Sequence, residues 1–184
     1  MAISYLNRLV MLREIAPRLG NARPAGGMQP RVFIMGYPGA GQIGTLGDLN
    51  AEHSYSAMTI HMNTVAGNEM LVLDSAKRYP NATFFGLNPG LIKTNIRSNL
   101  MGADTLRFRL MEWMIGLFTP SPEIYAKRIT PLLISPDIES HSGAMFNQKG
   151  LAIMPSPKLT DSHMKAFLAA SEALASRTNV RVAA

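Results

Sequence analysis

Three kinds of residue in this chain could do chemistry: a glycine loop, a set of histidines and a scatter of serines. Gly39-Ala40-Gly41-Gln42-Ile43-Gly44 spells G-x-G-x-x-G, a spacing that can turn backbone N–H groups and a helix N-terminus toward a pyrophosphate. That use needs a helix opening inside the motif. Thr45-Leu46-Gly47-Asp48-Leu49-Asn50 continues instead with another glycine and turn residues, so no helix dipole is on offer and the pattern reads as a chance glycine loop. His53, His61, His141 and His163 show no metal-ligand spacing with Asp or Glu. Ser156 and the other serines lack a nucleophile elbow. Cysteine is absent, which removes thiolate catalysis, disulfides and cysteine metal sites. A reducing compartment is the expectation, and with it a cytoplasmic protein.

The elements that must position these residues follow from periodicity. Ile3, Leu6, Leu9, Val10, Ile15 and Leu19 recur at helical spacing, predicting a helix over residues 2–19. Residues 20–30 read as an exposed loop. Arg31-Val32-Phe33-Ile34-Met35 is a short, nearly continuous apolar run, the pattern of a strand buried on both faces. Residues 51–79 form the longest helical stretch, ended by Pro80-Asn81. Ala82-Thr83-Phe84-Phe85-Gly86-Leu87 is the next buried strand. A long helix between two such strands is a βαβ unit, so the strands should run parallel. The segment from Leu106 to Phe118 is unusually apolar, fitting either a substrate-covering helix or a core or dimer-facing one. Ser121-Pro122-Glu123 opens a helix running to about Ile134. A late strand lies near Ala144–Asn147, turned by Gln148-Lys149-Gly150 before Leu151–Met154. Thr160-Asp161 starts the final helix.

With 184 residues, 47% of them hydrophobic and 16% charged, the chain has the composition of one globular domain, residues 1–184. The 18 basic and 12 acidic residues give a net charge of +6. The basic residues are scattered, and no aromatic-basic cluster forms a nucleic-acid-binding face, so no nucleic acid partner is expected. No apolar run approaches the roughly 20 residues needed to span a bilayer, so no membrane is expected either. Arg8, Arg13, Arg18 and Arg23 near the N-terminus also suit a transit segment, but a plain amphipathic helix explains the same residues.

The strongest pattern is distributed. The run His61-Met62-Asn63-Thr64-Val65-Ala66-Gly67-Asn68-Glu69-Met70, the ending Ser75-Ala76-Lys77-Arg78-Tyr79-Pro80 and the turn Asn88-Pro89-Gly90-Leu91-Ile92-Lys93-Thr94 resemble the catalytic half of a short-chain dehydrogenase/reductase. Asn68 and Ala76 fall on that family's register without a gap. Met11–Leu19 resembles the family's helix ending before the catalytic strand, Ser4 lies near a helix Asn that orders a proton-relay water, and Asp48-Leu49 matches a loop position.

The resemblance implies a three-layer, Rossmann-like α/β fold with a parallel sheet, incomplete because the nucleotide-binding strands that precede this region in the family are not in the sequence. It implies NADP or NAD as cofactor, with Asn88, Pro89, Gly90, Ile92 and Thr94 meeting the nicotinamide end, although binding by this chain alone should be weak or absent. It implies a small-molecule substrate, a small or apolar carbonyl or alcohol, and a homo-oligomer formed through the long helices. The family's Ser, Tyr and Lys positions hold Gly36, His61 and Val65. Glycine and valine cannot supply a hydroxyl or a charge. Histidine, with an ordinary pKa near 6.5, can act as a general acid at neutral pH, which makes His61 the one candidate catalytic residue. Tyr55 offers no rescue, because Thr59 stands four residues on.

The resulting expectation is a short-chain dehydrogenase/reductase-like oxidoreductase, truncated and weakly active or inactive as this chain. The alternative is a non-catalytic relative acting as a dimerisation or partner-binding module. A genuine short product, a misplaced start codon and a decayed gene all fit the sequence. Truncation would also leave Val32–Met35 as a bare sheet edge, so self-association, aggregation or pairing with a partner's strand is expected.

Overall fold

The computed structural model describes residues 1–22, 25–90 and 120–177. A four-stranded sheet has the order β1-β2-β3-β4, with β1 Arg31–Met35, β2 Thr83–Leu87, β3 Met145–Phe146 and β4 Ala152–Ile153. The first three strands are mutually parallel, and β4 returns antiparallel beside β3. Helix α1 spans Asn7–Ile15, α2 Ala57–Arg78, α3 Pro122–Ile134 and α4 Asp161–Ser176. The α/β class and the βαβ unit of β1, α2 and β2 stand as expected.

Helices cover both faces of the sheet. On one side α1, α2 and α4 enclose Leu9, Leu12, Ile34, Met70, Leu71, Phe84 and Phe167. On the other, α3 brings Tyr125 and Ile129 against Phe85, Leu87 and Phe146, with Phe33 stacked on Phe85 at a centroid distance of 5.1 Å. Each fully buried large apolar side chain contributes about 1.5–3 kcal/mol relative to exposure.

Two expected elements differ in detail. The N-terminal helix is not uniform: a π-helical turn at Ala2–Leu6 precedes α1, and a 3-10 turn at Ala16–Arg18 carries Pro17. The long helix begins at Ala57 rather than at residue 51. Asp48 accepts the N–H groups of Glu52, His53 and Ser54 at 2.7, 3.1 and 3.1 Å, which holds the chain in a turn. Ser56 then caps the helix by accepting the Thr59 N–H.

Two close approaches fix α1 and its π-helical lead against α2 and α4. The Tyr5 ring lies on Gly67, where an added Cβ would come within 2.7 Å of it. The Arg13 side chain is fully enclosed, with Nη1 2.8 Å from Asp74 and Nε 2.8 Å from Glu172. Burial alone would lower the guanidinium's pKa. Glu172 and Asp74 reverse that and hold it above its usual value.

Candidate functional site

Chain direction puts the first turns of α2 and the carboxyl ends of β1 and β2 at the same edge of the sheet, where open α/β sheets bind ligands. Gly36 follows β1 directly, and its N–H bonds the Leu87 carbonyl of β2 at 3.0 Å. A Cβ on Gly36 would lie 3.1 Å from Asn68 Cβ. A serine in this position would therefore press on Asn68, as well as restoring a hydroxyl.

Asn68 is buried and fully engaged. Its Nδ2 donates to the carbonyls of Thr64 and Ser4 at 2.8 and 3.0 Å, and its Oδ1 accepts from Arg8 Nη1 at 3.1 Å. The same Arg8 nitrogen donates to the Met35 carbonyl. Ser4 thus reaches Asn68 through its backbone, from the π-helical turn. Arg8 places a cation at the end of β1. In the sequence it is one of several N-terminal basic residues, and its partners 27 and 60 positions away leave no local pattern to find.

His61, Val65 and Asn68 share one face of α2 at i, i+4 and i+7. His61 is exposed, and its ring has no hydrogen-bond partner among the described residues. Val65 is 6% exposed. The strand-end turn is ordered by its own asparagine: Asn88 Nδ2 donates to the Pro38 carbonyl at 2.9 Å, and Asn88 Oδ1 accepts the Gly90 N–H at 2.9 Å. Gly90 has φ +62°, and a Cβ there would meet the Gln148 side chain at 3.1 Å. Asn88, Pro89 and Gly90 are thus brought beside the loop that follows Gly36. Ile92, Thr94 and the apolar segment from Leu106 to Phe118 lie outside the described residues.

The glycine loop is laced to the body of the protein. Gly39 N–H donates to Glu69 Oε2 at 3.1 Å and Gly41 N–H to Ser156 Oγ at 3.0 Å. Ile43 offers its carbonyl to His163 Nε2 at 2.7 Å, and Thr45 N–H donates to Asn63 Oδ1 at 2.9 Å. Every second residue from 39 to 45 is held by a side chain from elsewhere in the chain. Gly39 and Gly41 therefore have their N–H groups turned to internal acceptors, and the loop opens no helix. Glu69, 1% exposed, is the centre of this lacing. A lone carboxylate inside the buried run Asn63–Val72 was the available sign of a polar partner.

Among the described residues no group of three His, Cys, Asp or Glu is placed to hold a metal. No described helix is long and apolar enough to cross a membrane. No family model matches the sequence. An uncharacterized oxidoreductase of Saccharomyces cerevisiae is 53% identical over 175 residues, 95% of this chain. The chain spans 57% of that relative's length.

Proposed function

We propose that this chain is the catalytic-side half of an oxidoreductase of the short-chain dehydrogenase/reductase type, acting on a small or apolar carbonyl or alcohol with NADP or NAD. The observation that carries this reading is the edge of the sheet at the carboxyl ends of β1 and β2, where Gly36 lies against Asn68 and the Asn88–Gly90 turn is tied to the loop after Gly36 within one parallel βαβ unit. The oxidoreductase name of the yeast relative agrees with it.

The reading assigns this chain only the nicotinamide end of the cofactor. Asn88 holds the turn in which Gly90 takes φ +62°, the turn that the family resemblance assigns to the nicotinamide end. At the phosphate end the Gly39 and Gly41 N–H groups already have internal acceptors. NADP or NAD would supply the hydride when bound. Among the described residues His61 is the candidate proton-transfer group on this face of α2. Such acid–base assistance is worth about 10²–10⁴ in rate. Without a hydroxyl at Gly36 or an ammonium at Val65, the chain alone should turn over poorly.

A non-catalytic, partner-binding role is the second reading. Val65 favours it, because a buried valine offers neither charge nor hydrogen bond where the family places its lysine. Calorimetric titration with NADPH and NADH tests the first reading, together with a redox assay over simple alcohols and carbonyls. Weak or absent binding and slow turnover abolished by His61→Ala are expected. Micromolar cofactor binding that Gly41→Ala removes would instead make the glycine loop the phosphate site. Turnover indifferent to His61→Ala would sink the assigned role.

A further inference from the structure

Residues Asn63 to Val72 of α2 form an unbroken buried run, and the turns that precede it differ. Met58 is 65% exposed, His61 is exposed and Met62 is half-buried. Neither methionine belongs to either apolar core cluster, so packing does not account for them. Their polar neighbours are committed elsewhere. Thr59 Oγ1 donates to Ser56 Oγ at 3.0 Å, and the Asn63 side chain holds the Thr45 N–H and the Leu49 carbonyl. The His61 ring has no hydrogen-bond partner among the described residues.

These three side chains share one face of the helix. With about 3.6 residues per turn, His61 lies about 60° to one side of Met58 and Met62 about 40° to the other. Residues three and four apart have Cβ atoms about 5–6 Å from one another, within reach of a common ligand. Met58 and Met62 also line one cavity of about 330 Å³, walled on its other side by the glycine loop from Gly41 to Thr45. The two thioethers thus open on a shared space, with the imidazole beside them on the helix.

Thioether sulfur is a soft, neutral ligand that selects Cu(I), and neutral imidazole suits copper as well. Hard cations need oxygen ligands, carboxylates above all, and among the described residues no acidic side chain lines this cavity. The chain has no cysteine to compete for a soft ion. The positive end of the α2 dipole disfavours a cation only weakly at an exposed position, and a single charge feels it less than a double one. We infer that Met58, His61 and Met62 form a site for one Cu(I) ion, held by two thioethers and one imidazole nitrogen. The inference does not rest on the proposed activity. An ion on His61 would occupy the lone pair that proton transfer there requires.

Anaerobic titration of the purified chain with Cu(I), in competition with a chromophoric Cu(I) chelator, should show one ion bound per chain. Ag(I) serves as a diamagnetic stand-in for NMR of methyl-labelled methionine. At one equivalent the Met58 and Met62 methyl resonances should shift, while Met11 and Met154, 53% and 83% exposed, stay in place. That comparison separates a built site from thioethers that bind only because solvent reaches them. Replacing both Met58 and Met62 with Leu is a volume-conserving change outside the core, so the fold and its circular dichroism should persist. The double variant should bind Cu(I) more than about 100-fold more weakly, beyond the loss expected from an outer-sphere partner. His61→Ala should also weaken binding, and Met154→Leu should not. No ion taken from the chelator, methyl shifts that simply follow exposure, or full binding by the folded double variant would overturn the inference. These arms read metal and methyl groups rather than cofactor or turnover, so their failure leaves the oxidoreductase reading to its own test.

Discussion

Glu69 and Ser156 are joined twice across 87 residues: the carboxylate accepts the Ser156 N–H at 2.5 Å and its hydroxyl at 2.8 Å. With the Gly39 N–H as third donor, one buried carboxylate ties α2 to the glycine loop and to the segment before α4. Replacing Glu69 with Leu leaves those donors without an acceptor, at about 1–3 kcal/mol for each group left unsatisfied. The expected outcome is a lowered melting temperature, with faster hydrogen exchange at the Gly39 and Ser156 amides. Ser156→Ala should do less to stability, because its N–H bond remains, but should still free the Gly41 amide.

Gly67→Ala should destabilise the fold even though alanine is the better helix former. The propensity gain is about 1 kcal/mol, whereas the new Cβ would sit 2.7 Å from the Tyr5 ring. Overpacking of this kind costs about 1–3 kcal/mol. Thermal or urea unfolding measures the balance. If the clash is the cause, Tyr5→Leu should recover part of the loss in the double variant, despite its own cost as a single change.

Arg13 makes a sharp prediction about charge. Breaking a buried ion pair costs up to about 3–5 kcal/mol when the remaining charge stays enclosed, and less here, because Asp74 and Glu172 are 20% and 33% exposed. Arg13→Met should therefore be much more damaging than Lys77→Met, whose Asp161 partner at 2.8 Å is largely exposed. Chemical denaturation of the two variants separates them. Equal effects would contradict the enclosed geometry.

Asp48 gives the expected pH dependence. Slight burial pushes its carboxyl pKa up, but the Ser54, Glu52 and His53 N–H groups outweigh that and hold it below the ordinary carboxylate value. The folded state binds this proton less readily than the unfolded chain. Its stabilising contribution is therefore present above the ordinary value of about 3.9 and is lost as pH falls through the folded one. Carbon-detected NMR titration of Asp48 should show the lowered midpoint, and the Glu52, His53 and Ser54 amide resonances should shift with it. Asp48→Asn should abolish that shared transition.

What the sequence makes legible here is what depends on local pattern. The apolar runs around Phe33 and Phe85 announce buried strands, and the stretch between them is long enough only for a crossover helix. Ser121-Pro122-Glu123 marks a helix start that the structure places at Pro122, with Ser121 accepting the Ile124 N–H. Long-range side-chain partners are not legible. Asp48 delays the start of α2 by collecting N–H groups that a periodicity count assigns to the helix. Arg8 reaches Asn68, and Glu69 reaches Ser156, through contacts that only the assembled fold creates. The glycine spacing is the instructive case: its letters suit a phosphate, while the neighbours that supply its acceptors lie 30 and 115 positions away.

That lacing gives the stretch from Gly39 to Thr45 an unusual character for a surface connection. Loops ordinarily tolerate insertions and drift, because little depends on their length. Here each alternate residue meets a side chain anchored on α2, on α4 or at Ser156. One added or deleted residue would put every later stitch on the wrong partner at once. The spacing of these glycines is therefore open to selection through the seam they close, with no nucleotide required to explain it.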